Sequence, residues 1–438
     1  MGVMMRRRGF AAVALAAGLV LAAAGCGSSN SNGSGNSNQP IQLTVTVFGE
    51  FGYGKAGLYD KYHQLHPNIT VKELGTGQGL DAENTKLDSV LAAGAGASDV
   101  VALEEGTVTK YKALAQDFVN LKDYGAGSLE SQYLPWKWAE GSTADGKLIG
   151  LGTDVGSMGI CYRSDLFQRA GLPTDRAEVA KLWPTWDAFA NVGTQFQSKV
   201  KGVKFVDAAT NIYNTILMQE AGNDTGYTYF DKNNNLVLSS NPDIKKAWDT
   251  TISFIQKGLS GGLASFADAW TAGFKNSKFA TVACPAWMLG QIGDNAGPSL
   301  ANKWDVTTAP GDGGNWGGSF LAVPAQSKHK AEAADLVKFL TSADSQLAVF
   351  KQVNNLPSIP SVYDNPDFQA FKNSYFSNAP VGQIFGAGAK QLKPVYLGAK
   401  NQPVRTAVEN ALLSVDQGKR TPDQAWQDAL SKGAAAAK

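Results

Sequence analysis

Carboxylates, tryptophans and glycines recur where the apolar segments of this chain end. Glu50 and Phe51 follow "IQLTVTVFG", and Glu104 and Glu105 follow "DVVAL". Asp154 lies within "GKLIGLGTDVGSMGICYR", and Trp287 closes "ACPAW". Trp316 stands among glycines in "PGDGGNWGGSF" and is followed by Gly317. Tyr213 in "NIYNT" and Trp270 in "DAWTAGF" complete the set. Ionised carboxylates accept hydrogen bonds from hydroxyls, and aromatic faces pack against C–H surfaces. A ligand with equatorial hydroxyls and apolar ring faces, such as a sugar, suits that combination. Each residue also has a packing reading. Glu104 could cap the next helix, Asp154 could hold a hinge, Trp287 and Trp316 could pack at a rim, and Trp270 and Tyr213 could be core. Trp136, Trp138, Trp183 and Trp186 are read as structural.

Other chemistries fit less well. A glycosidase needs two carboxyl groups about 5–10 Å apart across one bond, and Glu50, Glu104 and Asp154 offer the residue type. There is no "GxSxG" elbow and no histidine suited to a triad. A phosphate cradle wants a helix start after its glycines, whereas "GDGGNWGGS" runs into a strand-like segment. No "GxxxxGK[ST]" motif occurs, so nucleotide hydrolysis is not expected. The three histidines, His63, His66 and His329, form no cluster with cysteine. No metal site and no cofactor are expected. Peptide or polyamine binding remains as an alternative, although a polyamine would want more carboxylates.

With 39 basic and 38 acidic residues the chain lacks the basic excess of a nucleic-acid binder, and none is expected as a partner. Its 438 residues, 43% hydrophobic, suffice for two domains with sizeable cores.

Strand and helix patterns alternate along it. "IQLTVTVF", "NITVKEL" and "DVVAL" read as strands, separated by helices at 54–66 and 81–93 and followed by one at 107–115. That βαβαβ order implies a parallel sheet. "KFATVACPAW", "KWDVTTAP" and "SFLAVPA" read as later strands. Thr185, Asn241 with Pro242, and Thr421 with Pro422 mark helix starts. Irregular joints fall near 150–156, 308–318 and 354–361. Three joints suit two α/β lobes that the chain crosses between three times. The expected layout is lobe 1 at 41–153 and 310–356, and lobe 2 at 154–309 and 357–438. A cleft between lobes is a common place for a small ligand.

The first residues read as a targeting segment. Arg6, Arg7 and Arg8 precede an apolar stretch from Phe10 to Ala24, shorter than the roughly 20 residues of a spanning helix. The stretch ends in "LAAAGC", which resembles a bacterial lipobox with Ala23 where leucine is commoner. Residues 1–25 are thus expected to be a lipoprotein signal peptide and Cys26 the lipidated residue. "GSSNSNGSGNSNQP" then makes a flexible tether over 26–40. This places the folded body outside the cytoplasmic membrane, held only by the lipid. There a disulfide between Cys161 and Cys284 is allowed; the alternative is two buried thiols.

The order of these segments resembles the extracellular carbohydrate-binding proteins of bacterial ABC importers, the family of maltose-binding protein. "GKLIGLGTDVGSMGICYRSDLFQRAGLP", "PTWDAFA", "GGSFLAVPAQSKHKAEAADLVKFLTSADSQ" and "RTAVENAL" carry the resemblance over nearly the whole mature chain. Gly152, where many members have proline, and Arg163, where asparagine is usual, depart from it. The resemblance implies an α/β, two-lobed periplasmic-binding-protein-like fold of type II, with the ligand cleft between the lobes. It also implies an Asp154 that holds a sugar hydroxyl, and transmembrane permease subunits, driven by a cytoplasmic ATPase, as partners of a monomeric non-enzyme. The tryptophan content and the pair "SMGICYR" and "ACPAWM" look similar to actinobacterial binders of cellobiose and related β-linked oligosaccharides. A cellobiose-like di- or trisaccharide is therefore expected, with xylo-, chito- and malto-oligosaccharides as alternatives and a neutral cleft to match.

Overall fold

Alternation decides the first strand. In β1 (Ile41–Thr46) Leu43 and Val45 are fully buried while Gln42 faces outward. The computed structural model describes residues 39–75, 79–311 and 313–438. Residues 1–25, Cys26 and most of the expected tether lie outside them. β1 pairs in parallel with β2 (Ile69–Glu73) on one side and β3 (Val100–Glu104) on the other. All of β3 is buried, its apolar run 100–103 and the terminal Glu104 alike.

Passages between two sheets follow. β4 (Leu151–Gly152) belongs to the first sheet, and β5 (Asp154–Val155) leads away from it. β6 (Met158–Arg163), β7 (Lys204–Val206), β8 (Phe279–Pro285) and β9 (Trp304–Thr308) form the second sheet, in the order β7-β8-β6-β9. The chain returns along 309–318 to β10 (Ser319–Ala322), which runs antiparallel between β3 and β4. β11 (Leu356–Pro357) pairs with β5, so two of the passages are hydrogen-bonded to each other. Beyond β11 the helix Val381–Ala389 packs on β6 and β9, and the helix Asn401–Asp416 packs on the helix Ala209–Asn223. The result is a mixed α/β fold with two lobes, two main sheets and the short β5–β11 pair among the described residues.

The helix starts follow the capping chemistry. Thr185, Asn241 and Thr421 each accept a backbone N–H of the first turn, and Gln424 completes a capping box with Thr421. The helix Pro242–Gln256 buries Ile244, Trp248 and Ile252 on one face, leaving Lys245 and Asp249 paired in solvent. The third helix begins at Glu105 rather than 107, because Glu104 itself caps it.

Cys161 on β6 and Cys284 on β8 are disulfide-bonded, with Cα atoms 5.9 Å apart and both residues fully buried. Adjacent antiparallel strands bring together residues that are 123 apart in sequence. Closing so long a loop in the unfolded chain limits its entropy. The double variant Cys161→Ala/Cys284→Ala should lose about 4–5 kcal/mol of stability. Urea unfolding checks this; an unchanged midpoint would show that the bond contributes nothing.

Candidate functional site

The C-terminal end of β3 and the start of the helix Glu105–Lys112 approach from the first sheet. The helices Ala209–Asn223 and Asn401–Asp416 approach from the second. The returning segment 309–318 lies between them. Together they enclose a cavity of about 30 Å³, walled by Glu104, Glu105, Trp316 and Gly317 on one side and by Asn214, Tyr229, Asn401 and Arg405 on the other. That volume suits a water molecule, so a pyranose would enter only as the walls part. A larger concavity, about 380 Å³, lies between His66, Tyr133, Asp335 and Lys338. It holds none of the expected site residues.

Charges are concentrated behind the cavity. Glu104 Oε2 accepts from Gly106 N at 2.7 Å. Glu105 accepts two bonds from Asn315 Nδ2, at 2.8 and 2.6 Å. Asn315 Oδ1 in turn accepts from Gly156 N at 2.7 Å, and Trp316 N donates to Gly156 O at 2.9 Å. A β-carbon on Gly156 would fall 1.9 Å from Trp316 O, so only glycine lets these two segments meet. Asp154 accepts from the Thr153 hydroxyl at 2.6 Å.

The buried ammonium of Lys137 lies 3.6 Å from Glu105 and 3.9 Å from Glu140, 4.0 Å above the ring of Phe320. Burial pushes the carboxyls of Glu104, Glu105 and Asp154 up. Arg405 opposes this at Glu104, and Lys137 opposes it at Asp154 and Glu105. Burial raises Glu140 to about 7. The glycine at 152 now has a reason. A side chain there would come 2.8 Å from Lys137 Cγ and 3.1 Å from Ser358 Oγ.

The aromatic wall differs from expectation. Trp316 is only 5% exposed, and the Arg405 guanidinium lies 5.6 Å from its ring centre. Arg405 Nε donates to Glu409 at 2.8 Å, and Asn214 donates to the same carboxylate at 2.7 Å. Trp287 donates through Nε1 to Trp316 O at 3.0 Å, and the two rings meet edge to face at 6.2 Å.

Of the residues singled out in the sequence, Glu104, Glu105, Trp316 and Gly317 line the cavity. Asp154 and Trp287 stand behind it, next to Lys137 and Trp316 respectively. The others lie elsewhere. Glu50 pairs with Lys55 at 2.8 Å on the rim, and Phe51 packs on Phe48 and Tyr53. Trp270 is core: its Nε1 donates to Asp207 at 2.6 Å. Tyr213 is fully buried and accepts from Tyr229 at 3.2 Å. For Phe51, Trp270 and Tyr213 the packing reading prevails, since apolar neighbours close over each ring. Nor is the cleft free of charge, because carboxylates and a guanidinium face each other across it.

Sequence reasoning missed Asn214, Tyr229, Asn401, Arg405 and Lys137. Asn214 had a signal. It lies in a helix buried almost all round, where Thr210, Asn211, Thr215 and Gln219 are polar as well. Arg405 had none, because an arginine on an amphipathic helix normally reads as solvent-facing.

A family profile described as bacterial extracellular solute-binding protein matches residues 57–374. The chain belongs to this family. The lactose-binding protein of Rhizobium radiobacter is 24% identical over 363 residues, 80% of this chain and 82% of that one. A crystal structure of an extracellular solute-binding protein family 1 member is 41% identical, with a TM-score of 0.79 over 91% of this chain and 100% of the other. The ABC-transporter-associated binding protein of B. animalis subsp. lactis Bl-04, in complex with β-1,6-galactobiose, shares the fold at 20% identity, with a TM-score of 0.75 over 91% and 98%. This is a two-lobed solute-binding protein of the sugar-binding ABC importer type. No helix among the described residues is long and apolar enough to cross a membrane.

The buried carboxyls give this solute-binding protein a stability that depends on pH. Glu140 keeps its proton up to about pH 7 in the fold but ionises near 4.5 when unfolded. Between those values the folded state holds more protons, so stability falls as pH rises. Glu140→Gln should flatten the fall between pH 5 and 7, read from urea midpoints. An equally steep fall in the variant would remove Glu140 as its source.

Proposed function

We propose that this chain captures a neutral, β-linked di- or trisaccharide of the cellobiose type between its lobes and hands it to a membrane permease. One observation carries this reading. Acceptors and donors from both lobes, with one tryptophan from the segment that joins them, converge on a single cavity. Glu104 offers an acceptor to a sugar hydroxyl; Asn214, Asn401 and Arg405 offer donors from the opposite side. A site that closes over a neutral ligand needs both. The lobes are taken as 41–153 with 310–356, and 154–309 with 357–438. The lactose of the Rhizobium relative's name is also a β-linked disaccharide, which supports the class.

Binding without catalysis fits the carboxylates. Glu104 is engaged as a helix cap and Glu105 is held by Asn315, so neither is placed as a free acid. In this reading the protein is a monomer outside the cytoplasmic membrane, tethered through a lipid on Cys26. Replacing Cys26 with Ser should release it from cells into the medium, as read by fractionation; retention on the membrane would count against the lipid.

Calorimetry against cellobiose, lactose, xylobiose, chitobiose and maltose tests the ligand class, with the sugars recovered and analysed afterwards. Unchanged sugar with tight binding is expected, and cleaved sugar would overturn the binding-only reading. Trp316→Ala should weaken binding by about 1–3 kcal/mol, the range of aromatic stacking losses. Unaltered affinity would take Trp316 out of the site.

A further inference from the structure

Phe266, 47% exposed, and Leu65 are the two large apolar side chains that stand out into solvent among the described residues. Its φ is +66°. The other non-glycine residues with positive φ among those described are asparagines and serines, whose short polar side chains tolerate that region. A bulky ring there costs conformational energy and persists only where its surroundings enforce it.

The surroundings do so from both sides. Ser265 is tied to Thr210 and Asn211 by hydrogen bonds of 2.7 and 2.9 Å. Trp270, four residues after Phe266, is fixed to Asp207. Ser265 and Trp270 are thus anchored, and Phe266, the first of the four residues between them, faces outward. Phe266 does not bury itself; one side packs on Trp270 at 5.0 Å, and its ring stacks on Trp287 at 6.3 Å. Trp287 is bonded to the Trp316 carbonyl, and Trp316 lines the cavity. Phe266, Trp287 and Trp316 therefore form a continuous line of rings from solvent to the cavity wall. Asn211, which holds Ser265, lies one helical turn before Asn214 of that wall.

We propose that Phe266 is the outer aromatic platform of the sugar site and sets ligand length, packing the C–H face of a pyranose residue that projects beyond the enclosed part. The proposal rests on the reading of the cavity as a sugar site. It accounts for three facts at once: a strained backbone, an exposed ring, and contact with the aromatic line that leads inward.

The test is a chain-length series by calorimetry on the full chain, comparing cellobiose with cellotriose and maltose with maltotriose. Phe266→Gly removes the ring and relieves the backbone; Phe266→Tyr keeps the ring. The ratio of trisaccharide to disaccharide affinity should fall about tenfold in Phe266→Gly and return in Phe266→Tyr. Thermal melting of Phe266→Gly should show no loss of folding, since glycine favours this φ. A ratio equal to wild type in Phe266→Gly overturns the proposal alone. A wild-type protein that binds none of these sugars overturns it together with the reading it rests on.

Discussion

Three chain segments run between the two sheets, and the charged groups buried where they pass constrain everything around them. Lys137 reaches this point from the first lobe without a hydrogen-bond partner among the described residues, although carboxylates lie just beyond bonding distance. A lone ammonium in such a place would be prohibitively costly. The Glu105 and Glu140 carboxyls lie 3.6 and 3.9 Å away and offset its charge to the extent that they ionise, while the Phe320 ring covers it. Glycines at 152 and 318 are needed because Lys137 occupies the space a side chain would take; at 318 a β-carbon would fall 2.8 Å from its Nζ. The ammonium and the bare backbone at the passages are one arrangement, not two.

From Glu105 the constraint extends to the cavity that Trp316 lines. Asn315 holds that carboxylate with its amide nitrogen and Gly156 with its amide oxygen. The residue after Asn315 is Trp316, so its ring is placed by a bond network one residue away. The neighbouring glycines at 311, 313, 314, 317 and 318 all take positive φ. This backbone lets the segment fold against Gln219, which donates to Pro310 O at 3.0 Å and accepts from Trp186 at 2.8 Å. A tryptophan in a bare loop is thus held on both flanks and is not a free paddle.

How much of this could be read from sequence differs by scale. The strands, the caps at Thr185, Asn241 and Thr421, and the succession of elements follow from local periodicity and side-chain chemistry, which act over a few residues. Glu104 and Glu105 could also be picked out as cavity-lining because they sit where an apolar run stops, and Trp316 because it stands alone among glycines. The failures are non-local. Trp270 and Tyr213 carry the right chemistry at the right kind of position, yet Asp207 and Tyr229, distant in sequence, engage them within the core. Arg405 is the converse case. Its helix pattern says solvent, but the opposing lobe supplies Trp316 and Glu104 to face it. Pairings across a cleft leave no trace in the spacing of either partner.

Contacts between the lobes bear on how the cleft works. Gln402 reaches Asp81 at 3.4 Å, Lys55 reaches Asp294 at 3.9 Å, and Arg405 faces Glu104. The first two are long or exposed and contribute little each. Arg405 and Glu104 are more sheltered, but both already have partners of their own, Glu409 and Gly106 N. None of these three is a strong latch, and the firmer bonds, Trp287 to Trp316 O and Gln219 to Pro310 O, lie at the passage itself. In the proposed reading, closure would draw on the ligand, since a ligand shifts a two-state equilibrium only by its differential affinity for the two states. A sugar that bridges Glu104 and Arg405 would supply that difference. The same residues that recognise the solute would then be those that hold the lobes together.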